Sequence, residues 1–245
     1  MKPFLILQLR PDDQASDNEF DAILKYGGLE QDEVHRVRME KEGIPSINLA
    51  AYSGIVLSGG PSNVSDPIDN KPPYQIQFET DLNKLLTKIF ETDFPIMGIC
   101  YGIGSLVAYK GGIVSTENYS EAVGAVEIKL TATGLEDELL QGIAPKFMAY
   151  VGHKEACQTL PEDATLLAGS ENCPFQMIRF RNNIYATQFH TELDNEGIAL
   201  RIKIYKNHGY FSADEADELI QNSKTWEVNV PKVILRNFVK RYQEK

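Results

Sequence analysis

No apolar run in this sequence approaches the roughly 20 residues that cross a bilayer. The N-terminal stretch MKPFLILQLRPDD has a short apolar segment and no small-residue cleavage site, so it does not read as a signal peptide. Cysteine is scarce. Cys100, Cys157 and Cys173 are the only three, they cannot all pair, and their spacing is not that of a metal site. This predicts a reducing, cytoplasmic setting, a thiol free for chemistry, and no metal or other cofactor. Basic charge is also short: 24 Lys and Arg stand against 35 Asp and Glu, a net charge of -11, with no basic block. Nucleic acid and anionic membrane surfaces are therefore not expected partners. The chain lacks internal repeats, low-complexity linkers and a P-loop lysine motif. Ser58-Gly59-Gly60 is followed by Pro61-Ser62-Asn63 rather than the Asp-Ser that a nucleotide-binding turn of that kind carries.

What is present reads as alternating strands and helices. Pro3–Leu9 is a nearly continuous apolar run, the pattern of a buried strand. Asp17–Tyr26 predicts a helix with Phe20, Ile23 and Leu24 on one face, a capping box from Ser16 and Glu19, and a stop at Gly27-Gly28. Val34–Val37, Gly54–Leu57 and Phe94–Ile99 read as further strands. Phe78, Leu82, Leu85, Leu86 and Ile89 mark an amphipathic helix between the last two. Apolar strands alternating with helices predict a parallel sheet covered on both faces. From about Ala125, runs at Val126–Leu130, Phe147–Val151, Gln176–Phe180 and Ile184–Gln188 predict added antiparallel strands. Beyond Leu193 the chain turns helical, with a capping box at Ser212 and Glu215 and Pro231 in a first helical turn.

Gly98-Ile99-Cys100-Tyr101-Gly102 follows a strand and opens a helix. A sharp strand-to-helix turn pushes its central side chain out over the sheet edge, and glycines on either side permit that turn. The positive end of the new helix favours a thiolate. A small buried cysteine between incidental glycines would look the same locally. At the end of the Ile184–Phe189 strand stand His190-Thr191-Glu192. Histidine titrates in the range a proton shuttle needs, and residues two apart in extended chain point the same way, so Glu192 can orient His190. His153, in Gly152-His153-Lys154-Glu155, competes for the base role or for a substrate contact. Attack on an amide builds charge on the carbonyl oxygen. The backbone N–H of Tyr101, next to the cysteine, and that of Gly60 in Gly59-Gly60-Pro61 are candidate donors to it.

Taken together and in this order, Ser58–Ser62, Gly98–Gly102 and Gln188–Glu192 resemble the class I glutamine amidotransferases, and within them the glutaminase domain of GMP synthase. The resemblance covers about residues 3–195. It implies a flavodoxin-like three-layer α/β sandwich: a central mostly parallel sheet, added antiparallel strands and a helical C-terminal extension. It divides the chain into an amidotransferase domain over 1–199 and a helical extension over 200–245 packed on it. It implies a glutamyl thioester at Cys100, His190 as base, Glu192 as its orienting acid, and Gly60 and Tyr101 as oxyanion donors. Gly59, Gly104, Gly152 and His153 are then candidate substrate contacts. Glutamine would yield glutamate and ammonia, the latter for a separate synthase subunit. Two residues depart from the family pattern. Gly104 stands where glutamine is usual, which opens the site to a larger γ-glutamyl compound, and Thr191 replaces a proline. The alternatives are thus a γ-glutamyl peptide hydrolase with the same triad, or a non-catalytic regulatory subunit that keeps the fold.

Overall fold

The structure, a computed structural model, describes residues 2–243. Its first half is built as the apolar pattern demands. Strands β1 (Phe4–Gln8), β3 (Gly54–Leu57) and β4 (Ile96–Ile99) are buried along their whole length. They alternate with α1 (Asp13–Gly27), the edge strand β2 (Val34–Arg38), the single-turn α2 (Met39–Glu42), α3 (Pro73–Thr92) and α4 (Tyr101–Tyr109). The second half adds β5 (Ile113–Ser115), β6 (Glu121–Leu130), α5 (Ala132–Glu136), β7 (Lys146–His153), β8 (Ala156–Thr159), β9 (Ala164–Gly169), β10 (Met177–Phe180) and β11 (Ile184–Thr187). Three helices follow: α6 (Asn195–Tyr205), α7 (Ala216–Ser223) and α8 (Val230–Tyr242).

Nine strands form one sheet in the order β2-β1-β3-β4-β11-β10-β9-β6-β7. The run from β2 to β11 is parallel, and every pairing beyond β11 is antiparallel. Alternation along the central strands splits the core in two. Leu5, Leu7 and Leu57 face α3 and α4, where Phe78, Leu82 and Leu86 close one layer. Phe4, Ile6 and Val56 face Phe20 and Ile23 of α1 and Leu235 and Phe238 of α8, which close the other. Full burial of each such side chain contributes about 1.5–3 kcal/mol. This is the flavodoxin-like three-layer arrangement the apolar strands anticipate. A third cluster, Tyr150, Leu193, Ile198, Ile202, Ala216 and Val228, sits under α6 and α7.

Two local expectations change. Helix α1 begins a turn earlier than Asp17, because the Asp12 side chain accepts from the Ala15 N–H and caps it there. Ser16 and Glu19 are then interior helix positions, both fully buried, and form no capping box. The box at Ser212 and Glu215 is present, but it caps a single 3₁₀ turn, Ala213–Glu215, that leads into α7.

Candidate active site

Strands β3, β4 and β11 end at one rim of the sheet, and the candidate residues stand just beyond their C-terminal ends. Cys100 joins β4 to α4 with φ 53° and ψ −94°. A non-glycine residue in that region carries roughly 1–3 kcal/mol of strain. The Cys100 N–H donates to the Thr187 carbonyl of β11 at 2.7 Å and holds the turn. A Cβ on Gly102 would lie 3.0 Å from the Leu57 carbonyl oxygen, so the glycine lets α4 approach β3. At the end of β3, a Cβ on Gly59 would lie 3.1 Å from both Cys100 Cβ and His190 Cε1. These two side chains therefore flank one point. A Cβ on Gly60 would fall 2.1 Å from the Leu9 carbonyl, which no side chain survives. Gln188 approaches the sulfur, with Nε2 4.0 Å from Sγ.

His190 follows β11 and is tied back by its N–H to the Tyr150 carbonyl at 2.9 Å. Its Nδ1 lies 2.9 Å from Glu192 Oε1. Arg201 Nη1, which can only donate, stands 3.2 Å from the same Nδ1, but the shorter contact is to the carboxylate, which only accepts; that contact assigns the proton to Nδ1 and leaves Nε2 as the basic nitrogen. Glu192 is fully buried, and its Oε2 has no hydrogen-bond partner among the described residues.

Behind Glu192 lies a charge network that the motifs give no hint of. Arg201 of α6 donates from Nη2 to Glu192 Oε1 at 3.0 Å and to Glu19 Oε1 of α1 at 3.3 Å. Arg10 donates from Nε to the same Glu19 oxygen at 2.6 Å, and Gln8 Nε2 donates to Glu19 Oε2 at 2.9 Å. Two buried guanidinium groups thus balance two buried carboxylates, as burial of charge requires. The one sequence signal was Glu19 itself, a charge at a helix position adjoining the apolar Phe20 and Ile23.

Burial sets the protonation states. It pushes the Cys100 thiol up to about 12, against the pull of Arg10. The helix-terminus expectation of a resting thiolate therefore gives way to a neutral thiol, because desolvation outweighs the charges nearby. Burial also lowers His190 below its ordinary value, opposed by Glu192. For Glu192, burial alone would raise the carboxyl. His190 and Arg201 overcome it and hold the group well below the usual carboxylate range.

His153 does not share this point. Its Nε2 is 3.0 Å from Glu121 Oε2 and its Nδ1 2.9 Å from the Glu155 carbonyl, so neither nitrogen is free to serve the sulfur. Glu121 is further engaged by Ser170 at 2.7 Å and Gln176 at 2.5 Å. His153, Glu121 and Cys173 bring one ligand-type atom each within 4.8 Å of one another, and His153, Gln176 and Ser170 already engage the carboxylate. His153 and Gly152 do line a polar cavity beside Cys100, together with Gly60, Tyr101, Gly104 and Glu155. A Cβ on Gly104 would sit 3.3 Å from Val64 Cγ2 and 3.4 Å from Glu155 Oε1. A second cavity opens on the other side of Cys100 and includes His190, Arg10 and Arg201.

Fold and rim together define a flavodoxin-like α/β protein that carries a cysteine on a nucleophile elbow. The chain belongs to the class I glutamine amidotransferase family, whose profile, described as "Glutamine amidotransferase class-I", matches residues 15–199. It is 34% identical over 163 residues to a glutamine-hydrolyzing GMP synthase of Thermosipho africanus, covering 66% of this chain and 28% of that one. With the corresponding protein of Latilactobacillus sakei it shares 30% over 190 residues, 72% of this chain and 34% of the relative. The chain thus spans about a third or less of the curated relatives it matches. Among solved structures, a glutamine amidotransferase of Thermotoga maritima superposes with a TM-score of 0.78 at 19% identity, covering 100% of both chains. A glutamine amido transferase of Methylobacillus flagellatus gives 0.71 at 16%, covering 100% of this chain and 97% of the other. At those identities the likeness concerns the fold. Among the described residues, no helix is long and apolar enough to cross a membrane.

Proposed function

We propose that this chain hydrolyses the side-chain amide of glutamine through a thioester on Cys100. The convergence of Cys100, His190 and Gly59-Gly60 at the rim of β3, β4 and β11 carries this reading. Sγ attacks the amide carbon as its proton passes to His190 Nε2. Glu192 Oε1 stabilises the imidazolium that forms. The carbonyl oxygen, now negative, takes the N–H groups of Gly60 and Tyr101. His190 returns its proton to the nitrogen, ammonia leaves, and water activated by the same base releases glutamate. The polar cavity around Gly104, Gly152 and His153 takes the glutamyl part. Ammonia goes to a separate synthase subunit, and the free thiols suit a cytoplasmic setting. Residues 1–199 would carry the triad and the oxyanion donors; of the extension over 200–245, α6 reaches the site through Arg201, while α8 packs against the sheet with α1.

The test is mass spectrometry after exposure to 6-diazo-5-oxo-L-norleucine, a glutamine-derived electrophile. A single adduct on Cys100 is expected, with Cys157 and Cys173 unmodified. No adduct at any pH, or one on either buried thiol instead, refutes the reading.

Two further results are expected. Gly60→Ala should lower kcat by about 10²–10³, the usual cost of one oxyanion donor, because its Cβ must push the loop off the Leu9 carbonyl. Steady-state ammonia release measures this. A change below threefold would leave Gly60 without the assigned role. The acid limb of kcat/KM should lie below about 6.5, the ordinary histidine value, because the buried His190 holds its proton less tightly than a free imidazole. The stability contribution has the same sense. It is fully present above the unfolded value near 6.5 and fades as pH falls toward the folded one, because the unfolded chain binds the proton more readily.

A further inference from the structure

The room that Gly104 leaves in α4 beside the site is already taken. A Cβ at Gly104 would lie 3.3 Å from Val64 Cγ2, 3.4 Å from Glu155 Oε1 and 3.8 Å from Val114 Cγ1. These neighbours come from the loop after β3, the turn between β7 and β8, and β5. The glycine is thus enclosed from three elements. A long side chain there would have to push one of them away.

The neighbour that matters is Glu155. It is almost wholly buried, and its carboxylate grips backbone. Val64 N–H donates to Oε1 at 2.7 Å and Ser65 N–H to Oε2 at 2.8 Å, one oxygen for each donor. Bonds to a charged acceptor are the stronger kind. The same loop is held from the α3 side, where Lys71 Nζ donates to the Val64 carbonyl at 2.8 Å and Gln75 Nε2 to the Asn63 carbonyl at 2.9 Å. The loop opens with Gly59-Gly60, so its anchorage sets where the Gly60 N–H points. Gly60, Cys100, Tyr101, Gly104 and Glu155 all line the one polar cavity.

We infer that Glu155 is a positioning residue for the oxyanion loop, and that position 104 is glycine in order to admit its carboxylate. This rests on the thioester reading above and concerns the same site. The missing glutamine at 104 is then no opening for a larger substrate. Restoring it drives Glu155 off Val64 and Ser65 and lets Gly60 drift. A contact that was merely lost would instead be regained.

The experiment compares two reagents on Cys100 of the intact chain. 6-Diazo-5-oxo-L-norleucine must occupy the glutamyl site, whereas iodoacetamide needs only the sulfur. The ratio of the two labelling rates is read within one protein, so partial loss of folded molecules cancels. It should fall about 10² in Gly104→Gln and in Glu155→Ala, the usual cost of displacing a reacting group by about 1 Å. Glu155→Gln, whose one remaining carboxamide oxygen still accepts from one of the two N–H groups, should cost about tenfold. The double variant Gly104→Gln/Glu155→Ala should again show about 10², not the roughly 10⁴ of two independent losses, because both changes undo the same grip. A ratio that rises in Gly104→Gln overturns the inference. So does one that Glu155→Ala leaves unchanged, or losses that multiply in the double variant; in each case a wild-type Cys100 labelled by the diazo reagent leaves the thioester reading standing. A wild-type Cys100 that takes iodoacetamide but never the diazo reagent sinks both.

Discussion

Glutamine hydrolysis is expected to fall by about 10⁶ when Cys100 becomes alanine and by about 10⁴ when Glu192 becomes glutamine. The first figure is the usual loss when a covalent nucleophile is removed. The second follows from the tautomer. Glu192 Oε1 accepts from His190 Nδ1 at 2.9 Å and keeps Nε2 free to take the thiol proton. A glutamine amide can present N–H to Nδ1 instead, which moves the ring proton to Nε2 and leaves no base facing the sulfur. The resting thiol makes this dependence steep. With burial pushing Cys100 up to about 12, almost no thiolate exists at neutral pH without a competent His190. Ammonia release under single-turnover conditions measures the loss, and circular dichroism reports whether the variant stays folded. A Glu192→Gln protein within tenfold of wild type would mean that some other group orients His190. Alkylation should separate the two variants: Glu192→Gln keeps a slow adduct at Cys100, and Cys100→Ala forms none.

Much of this was legible in the residues, for physical reasons that also explain what was not. The largely apolar strands β1, β3 and β4 can only lie inside a sheet covered on both faces, and they do. Strand β11, read with the added antiparallel strands, instead completes the parallel run against β4 and is antiparallel only toward β10, because neighbour choice in a sheet is not written in a strand's own residues. The elbow glycines Gly98 and Gly102 and the i, i+2 pair His190 and Glu192 are local patterns, so chain geometry alone set their relation. Strands β5, β8 and β9 went unread because they have 3, 4 and 6 residues and little alternation. A helix terminus is visible in sequence, whereas the desolvation that opposes a thiolate at Cys100 comes from surroundings that only the fold assembles. The most consequential omission was the support beneath the triad. Arg10, Glu19 and Arg201 come from the β1–α1 turn, α1 and α6, and only the fold brings them together. Arg201 also lies beyond residue 199, where the family profile ends, so no motif of the family marks it.

That support dictates the second large effect. Glu19→Leu should lower the unfolding free energy by about 3–5 kcal/mol, the usual cost of leaving a buried charge unpaired. Here two charges lose their partner at once. Arg10 and Arg201 are each almost wholly buried, and Glu19 Oε1 is the carboxylate oxygen common to both. Arg201 retains Glu192 at 3.0 Å, so it keeps one carboxylate. Arg10 is left with the Tyr205 hydroxyl at 3.3 Å, a neutral partner. The worse-served group is therefore Arg10, and the double variant Glu19→Leu/Arg10→Met should recover a large part of the loss, because it removes the stranded charge along with its former partner. Urea denaturation of wild type, Glu19→Leu, Arg10→Met and the double variant gives the coupling directly. Additive losses would mean that Arg10 finds solvent or another acceptor once Glu19 is gone. Activity should not follow stability in the double variant. Arg201 still holds Glu192, so kcat should return further toward wild type than in a variant that removes Arg201, where nothing but His190 and Arg10 opposes the burial that would protonate Glu192.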